Sequence, residues 1–274
     1  MRHSSFHLLT PSSWFSDLSR DEATARLSEI HHELETARDV QSRFFPRRFP
    51  PLAGLDYCGD SQQAGEVGRN LFDFIPVDGS TLVAAVGDVA GKGIPAAIMM
   101  AGVQASIKNL AAVPSRTLPE VTDELNRITC EICPDNAYVT LFCAQVEPAQ
   151  RKLHYVNAGQ EPALLIRDGG DEVRRLDTTG TVLGLTPSAT FRQRTISIEP
   201  GDMLVGFTEG VTERAVVETV RQHPDATASE LVEEILLNAG SEMDDQTVVV
   251  VRYTGTLEQS LLMETSADLA LTAA

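Results

Sequence analysis

Carboxylates recur where apolar runs of this chain meet turns. Asp88 follows the run 81–86, inside Gly87-Asp-Val-Ala-Gly-Lys-Gly93. Glu209 follows Met203 to Phe207 and precedes Gly210, and Asp244 and Asp245 stand just before the β-branched run 247–253. Asp73 lies within the early run 71–77. Any one of these acids alone reads as a solvated turn residue. As an ordered set they suit a hard divalent cation, because Mg²⁺ and Mn²⁺ take oxygen ligands and keep several waters. The glycine-rich segment is not a phosphate loop. Three residues rather than four separate its first glycine pair, and Gly93 stands after Lys92 where a magnesium-binding Ser or Thr is required.

Other chemistries are excluded by composition. Lys plus Arg number 22 against 39 Asp plus Glu, a net charge of −17 over 274 residues. That balance disfavours nucleic acid and anionic membrane surfaces, which both need basic patches. It suits cation binding or a basic partner. No apolar run reaches the length of a membrane span, and residues 1–11 lack a signal-peptide core. A cytoplasmic location is expected. Cys130 and Cys133 have the spacing of a zinc half-site, but no second ligand pair follows, so they read as ordinary thiols near a helix end.

The elements that must position the acids can be read from periodicity. Residues 16–45 read as one long helix, with Ser19 and Glu22 as a capping box and a seam of Leu27, Ile30, Leu34, Ala37, Gln41 and Phe44. That seam suits a helix packed on its own domain as well as a dimer, and a homodimer through this helix is expected. Pro46 ends it. Runs 71–77 and 81–86 flank Asp78-Gly79, a hairpin signal. Residues 94–112, apolar almost all round, predict a buried helix, and 118–132 an amphipathic one. Strands are expected over 138–146, 153–157, 163–166, 191–198, 203–207 and 247–253, with a helix over 227–238 and a short one through 257–263. Grouped antiparallel strands with helices between them indicate an α+β layered fold and disfavour a doubly wound nucleotide-binding sheet.

The ordered motifs Gly87-Asp-Val-Ala-Gly-Lys-Gly-Ile-Pro-Ala-Ala97, Asn157-Ala-Gly159, Phe207-Thr-Glu-Gly-Val-Thr-Glu213 and Asp244-Asp-Gln-Thr247 resemble the bacterial metal-dependent protein phosphatases of the PPM class. The nearest branch is the one typified by stage II sporulation protein E and the RsbU regulators of sigma-factor partner switching. Ala37-Arg-Asp-Val-Gln-Ser-Arg-Phe-Phe-Pro46 is similar to the linker helix leading into that domain. The resemblance implies an α-β-β-α sandwich of two antiparallel sheets flanked by helices. It implies an N-terminal segment over 1–48, a phosphatase domain over 49–254 and a tail over 255–274. A two-ion Mn²⁺ or Mg²⁺ site is implied, with Mn²⁺ favoured, acting on phosphoserine or phosphothreonine of a STAS-type anti-sigma-factor antagonist. By position Asp88 matches the bridging carboxylate, Val89 lends a backbone carbonyl, and Glu209 and Asp244 match metal carboxylates. Asp88, Asp244 and Glu209 are therefore the expected catalytic set. No sensor domain is expected ahead of the helix.

Several positions depart from the family pattern. Gly68-Arg69-Asn70-Leu71-Phe72-Asp73 stands where that family reads Gly-Gly-Asp before an aromatic pair and a second Asp. Asn70 thus offers a neutral ligand in place of a charged one, and Arg69 brings a positive head close to the site, to contact phosphate or to repel the cation. Glu209 replaces an Asp, Gln160 replaces a common His, and the stretch from Glu213 to Asp244 is short. Asp73, three residues along a regular strand from Asn70, should face away from it. Two functions fit: an active protein serine/threonine phosphatase, or a phosphatase-like binding module that recognises such a partner without turning it over.

Overall fold

The computed structural model describes residues 19–134, 137–239 and 244–255. Helix α1 (Arg20–Gln41) opens on the Ser19/Glu22 capping box expected from sequence and stops at Ser42, short of Pro46. The strands follow as β1 (Leu55–Gln62), β2 (Asn70–Val77) and β3 (Thr81–Val89). Helices α2 (Gly93–Ala111) and α3 (Leu118–Ile132) separate these from β4 (Val139–Glu147), β5 (Lys152–Ala158), β6 (Ala163–Arg167) and β7 (Glu172–Leu176). The chain closes with β8 (Arg194–Ser197), β9 (Met203–Phe207), α4 (Glu213–Gln222), α5 (Ala228–Asn238) and β10 (Gln246–Tyr253).

Two antiparallel five-stranded sheets result, one ordered β1-β10-β9-β6-β7 and the other β2-β3-β4-β5-β8. Their inner faces meet over Phe72, Phe74, Val86, Phe142, Leu204 and Val249. The second sheet's outer face packs on α2 and α3 through Leu71, Ile75, Met100, Val103 and Leu125. The first sheet's outer face packs on α4 and α5 through Val205, Val216, Leu231 and Val250. This is the α-β-β-α sandwich expected. Strands covered on both faces read as unbroken apolar runs, as in Leu82 to Val86, all buried.

Local chemistry explains most boundaries. The β2–β3 hairpin turns at Asp78 and Gly79, both with positive φ, 52° and 75°. α3 and α5 open on Thr117/Glu120 and Thr227/Glu230 capping boxes.

Other features differ from the sequence reading. β1, β7 and α4 were not legible as separate elements. β7 is an edge strand with only Leu176 buried, and α4 buries only a narrow stripe of Ala215, Val216, Thr219 and Val220. The strand expected over 191–198 is confined to Arg194–Ser197, because Phe191 turns into the helix-side core instead. The helix expected to be buried all round leaves Ile94 and Ile98 exposed, 52% and 67%. They line an apolar groove against Leu34, Ala37, Val40 and Phe44 near α1. The short helix expected through 257–263 and the start of the long helix at 16–18 lie outside the described residues. Among the described residues no helix is long and apolar enough to cross a membrane.

Candidate active site

Asn70 opens β2 directly opposite Asp88 near the end of β3. Strand alternation sends Leu71 and Ile75 to the helix side and Phe72 and Phe74 to the sandwich interior, so Asn70 and Asp88 share the interior-facing edge. Gly87 lets β3 lie this close to β4, since a Cβ there would meet the Thr140 carbonyl at 2.5 Å. Across the sandwich, Thr208 and Glu209 follow the end of β9, and β10 is entered through Asp244 and Asp245.

Asn70 bridges the two sheets at this edge. Its Nδ2 donates to Thr208 Oγ1 at 2.8 Å and to the Asp245 carbonyl at 3.0 Å. Both oxygens act as acceptors here, because Thr208 also takes the Thr247 N–H at 3.1 Å. That pattern fixes the amide orientation and leaves Asn70 Oδ1 buried without a partner.

Asp245 clamps the loop before β2. Its Oδ1 accepts from the Ala64 N–H at 2.9 Å and its Oδ2 from the Arg69 N–H at 2.8 Å. Gly210 makes room for it, since a Cβ there would lie 2.5 Å from the Asp245 carbonyl. The Val89 N–H donates to the Arg69 carbonyl at 3.3 Å, so Arg69 is held on both sides of its Cα.

From that anchor the Arg69 side chain spans two carboxylates. Its Nη1 lies 2.9 Å from Asp88 Oδ2 and its Nη2 lies 2.6 Å from Asp244 Oδ1. The arginine and Asp88 side chains are mostly buried, 21% and 15% exposed, while Asp244 is 41% exposed. Burial works against the guanidinium charge, but Asp88, Asp244 and Asp245 outweigh it and raise the Arg69 pKa. Asp88 is pushed up to about 6, chiefly by burial, with Asp245, Asp244 and Glu209 adding to the rise and Arg69 opposing it. Asp88 Oδ1 has no partner.

The structure therefore brings Asp88, Asn70 and Asp244 together. Glu209 is exposed beside them, close enough to act on Asp88. Val89 is fully buried at the end of β3. Gln160, buried, links the strands beneath: its Nε2 donates to the Phe207 carbonyl at 3.0 Å and its Oε1 accepts from Thr140, whose hydroxyl also lies 3.2 Å from the Asp88 carbonyl. Asp73 faces α2, as the strand period requires, and takes no part. The clamp by Asp245 and the arm of the Arg69 fork on Asp244 were not apparent from sequence, because those partners lie about 175 positions away. The local signals were the Asp-Asp pair before β10 and the positive head of Arg69 itself.

The donors can be tested for a divalent cation. Asn70 Oδ1 and Asp88 Oδ1 are two unpartnered oxygens on one edge, flanked by acids, and such oxygens fit a hard cation. Among the described residues no group of three His, Cys, Asp or Glu side chains converges as a cage; Arg69 stands between two of the acids instead. The residues fit one ion beside Asn70 and Asp88.

Comparison with known proteins identifies the family and the fold. Residues 78–254 match the model of the family described as stage II sporulation protein E (SpoIIE). The phosphoserine phosphatase RsbU of Bacillus subtilis is 29% identical over 218 residues, covering 78% of this chain and 63% of that protein. This chain therefore spans under two thirds of that relative's length. Among solved structures, the SiaA-PP2C domain of Pseudomonas aeruginosa superposes with a TM-score of 0.72 at 19% identity, over 84% of this chain and 99% of that one. RsbX, solved in complex with magnesium, gives 0.58 at 17% identity over 72% and 94%. At these identities the structures speak to fold alone, and the fold is that of the PPM phosphatases. The family match covers well over half of the residues, and the chain belongs to the stage II sporulation protein E family.

Proposed function

We propose that this chain is a metal-dependent protein serine/threonine phosphatase acting on a phosphorylated regulatory protein. The observation that carries the reading is the pair of unpartnered oxygens on Asn70 and Asp88 beside the strand-end acids. RsbU, a relative, is a phosphoserine phosphatase, and the structural neighbour RsbX is in complex with magnesium. In this reading Asp88 and Asn70 hold a divalent cation, with Glu209, Asp244 and the Val89 carbonyl available beside them. When bound, the cation supplies Lewis-acid chemistry, neutralising phosphoryl oxygens and making water a better nucleophile. Asp245 and Gln160 hold the donors in place. Mn²⁺ is favoured over Mg²⁺ because one donor is a neutral amide and Mn²⁺ binds such sites more tightly.

The catalytic unit spans 49–254, the substrate is a STAS-type anti-sigma-factor antagonist, and α1 pairs two copies. Turnover of p-nitrophenyl phosphate and of a phosphoserine protein with millimolar Mn²⁺, abolished by chelation, is the expected result; no turnover at any Mn²⁺ concentration counts against it. For the pairing, light scattering should give a dimer for the full chain and a monomer after removal of residues 1–45.

The second reading is a phosphatase-like module that binds such a partner without turnover. The ion pairs of Arg69 with Asp88 and Asp244 favour it, because they engage two of the carboxylates that a catalytic centre would use.

A further inference from the structure

The loop before β2 places a permanent positive charge inside the acidic cluster, and it does so from a rigid mount. Arg69 is held by its N–H on Asp245 and by its carbonyl on Val89. Its side chain then reaches Asp88 on one sheet and Asp244 on the approach to the other. A guanidinium stays charged at all accessible pH values, and its planar fork can serve two carboxylates at fixed spacing. These contacts, at 2.9 and 2.6 Å, are charge-assisted bonds made by a side chain only 21% exposed.

The next residue completes the arrangement. Asn70 is 2% exposed, and both partners of its Nδ2 are oxygens. A carboxylate at position 70 would set its own oxygen against the Asp245 carbonyl. The position therefore calls for an amide, and the amide leaves one neutral oxygen buried without a partner, on the residue that pairs with Asp88. Beside the fork of Arg69, Asn70 Oδ1 and Asp88 Oδ1 are the buried side-chain oxygens of the cluster left without a partner among the described residues.

We propose that the Arg69 guanidinium is a resident cation that takes one of two cation positions, so that the site accepts one divalent ion and not two. The proposal departs from the two-ion site implied by the family resemblance. It rests on the phosphatase reading only for the premise that a divalent ion binds at all. Arg69 is a positioning residue in this scheme: it holds Asp88 and Asp244 apart at a fixed spacing and supplies charge that a second ion would otherwise bring. Replacing Arg69 by Gly together with Asn70 by Asp would change the local charge by two units, the charge of one such ion.

The test counts metal, not turnover. Equilibrium dialysis of the full chain against Mn²⁺, with bound manganese measured per chain, should saturate at one ion. Arg69→Gln, neutral and of similar size, should saturate at two, with an unchanged circular dichroism spectrum. Arg69→Lys, which keeps the charge, should stay at one and serves as the reading if the glutamine variant does not fold. Wild type binding two ions, or none, overturns the proposal. So does an Arg69→Gln chain that folds and still binds one. Because stoichiometry is read without substrate, a chain that binds one ion but hydrolyses nothing would sink the phosphatase reading and leave this inference standing.

Discussion

Asp73 and Asp88 lie on paired neighbouring strands, and each is buried against a basic partner, yet they do opposite jobs. Asp73 faces α2 with no exposed surface. It accepts from the Phe74 N–H at 2.9 Å and from Gln104 Nε2 at 3.2 Å, and lies 3.7 Å from Lys108 Nζ. Asp88 faces the other way and meets a single guanidinium nitrogen, with its second oxygen unpartnered. A buried carboxylate with every oxygen engaged is a structural fixture, since the bonds it makes offset part of its desolvation. One with an oxygen to spare is poised to bind something. Burial alone does not distinguish them; the count of satisfied oxygens does.

The sharpest way to break this contrast is to remove each charge in turn. Asp88→Asn should lower Mn²⁺ affinity by about two orders of magnitude or more, since one full charge beside a divalent ion is lost. Phosphatase turnover should vanish with it, while the melting temperature shifts by only about 2 °C. Calorimetry showing undiminished Mn²⁺ binding would place the metal elsewhere. Asp73→Ala should do the reverse. It removes the carboxylate partner of Lys108 and one of the acceptors of Gln104, and should cost about 2 kcal/mol of stability in urea unfolding. Its Mn²⁺ affinity should stay within about twofold, on the usual independence of sites without shared partners. A large loss of metal binding there would erase the distinction.

The smallest effect is one of pH. Burial raises the Asp73 pKa above the ordinary aspartate value, against the opposing influence of Lys108 and its hydrogen bonds. A carboxyl whose folded pKa is raised favours the native state below its unfolded pKa, and that contribution is lost as pH rises through the folded value. Asp73→Asn mimics the protonated form. It should therefore gain stability relative to wild type as pH climbs from about 3 to about 7, across the aspartate range. A stability difference flat across that range would mean that Asp73 titrates normally.

Much of this arrangement was legible in the residues themselves. The acids at strand ends announced themselves through Gly87 and Gly210, where an added Cβ would lie 2.5 Å from a neighbouring carbonyl oxygen. The capping residue Ser19 marked the start of α1 because its hydroxyl meets the Glu22 backbone N–H three positions on. The placement of Asp73 away from Asn70 followed from the period of a strand. What escaped was the long-range chemistry. Arg69 looked like a loose positive head until its partners Asp88 and Asp244 were in view, and Asp245 looked like a spare acid until the Ala64 and Arg69 N–H groups met it. The exposure of Ile98 was hidden for a related reason: apolar composition reports that a helix can be covered, not which neighbour covers it.

The pairing of β1 with β10, from Leu55 opposite Tyr253 to Gln62 opposite Gln246, also bears on how the protein is made. The first and last strands of the sandwich are neighbours, so the loop at 64–69 finds its clamp only when residue 245 has been synthesised. Contacts of such large sequence separation form late in folding. A chain still emerging from the ribosome carries Asp88 and Arg69 long before it carries Asp244 and Asp245. In the proposed reading, a domain that still lacks β10 holds Asp88 and Arg69 but cannot assemble the cation site.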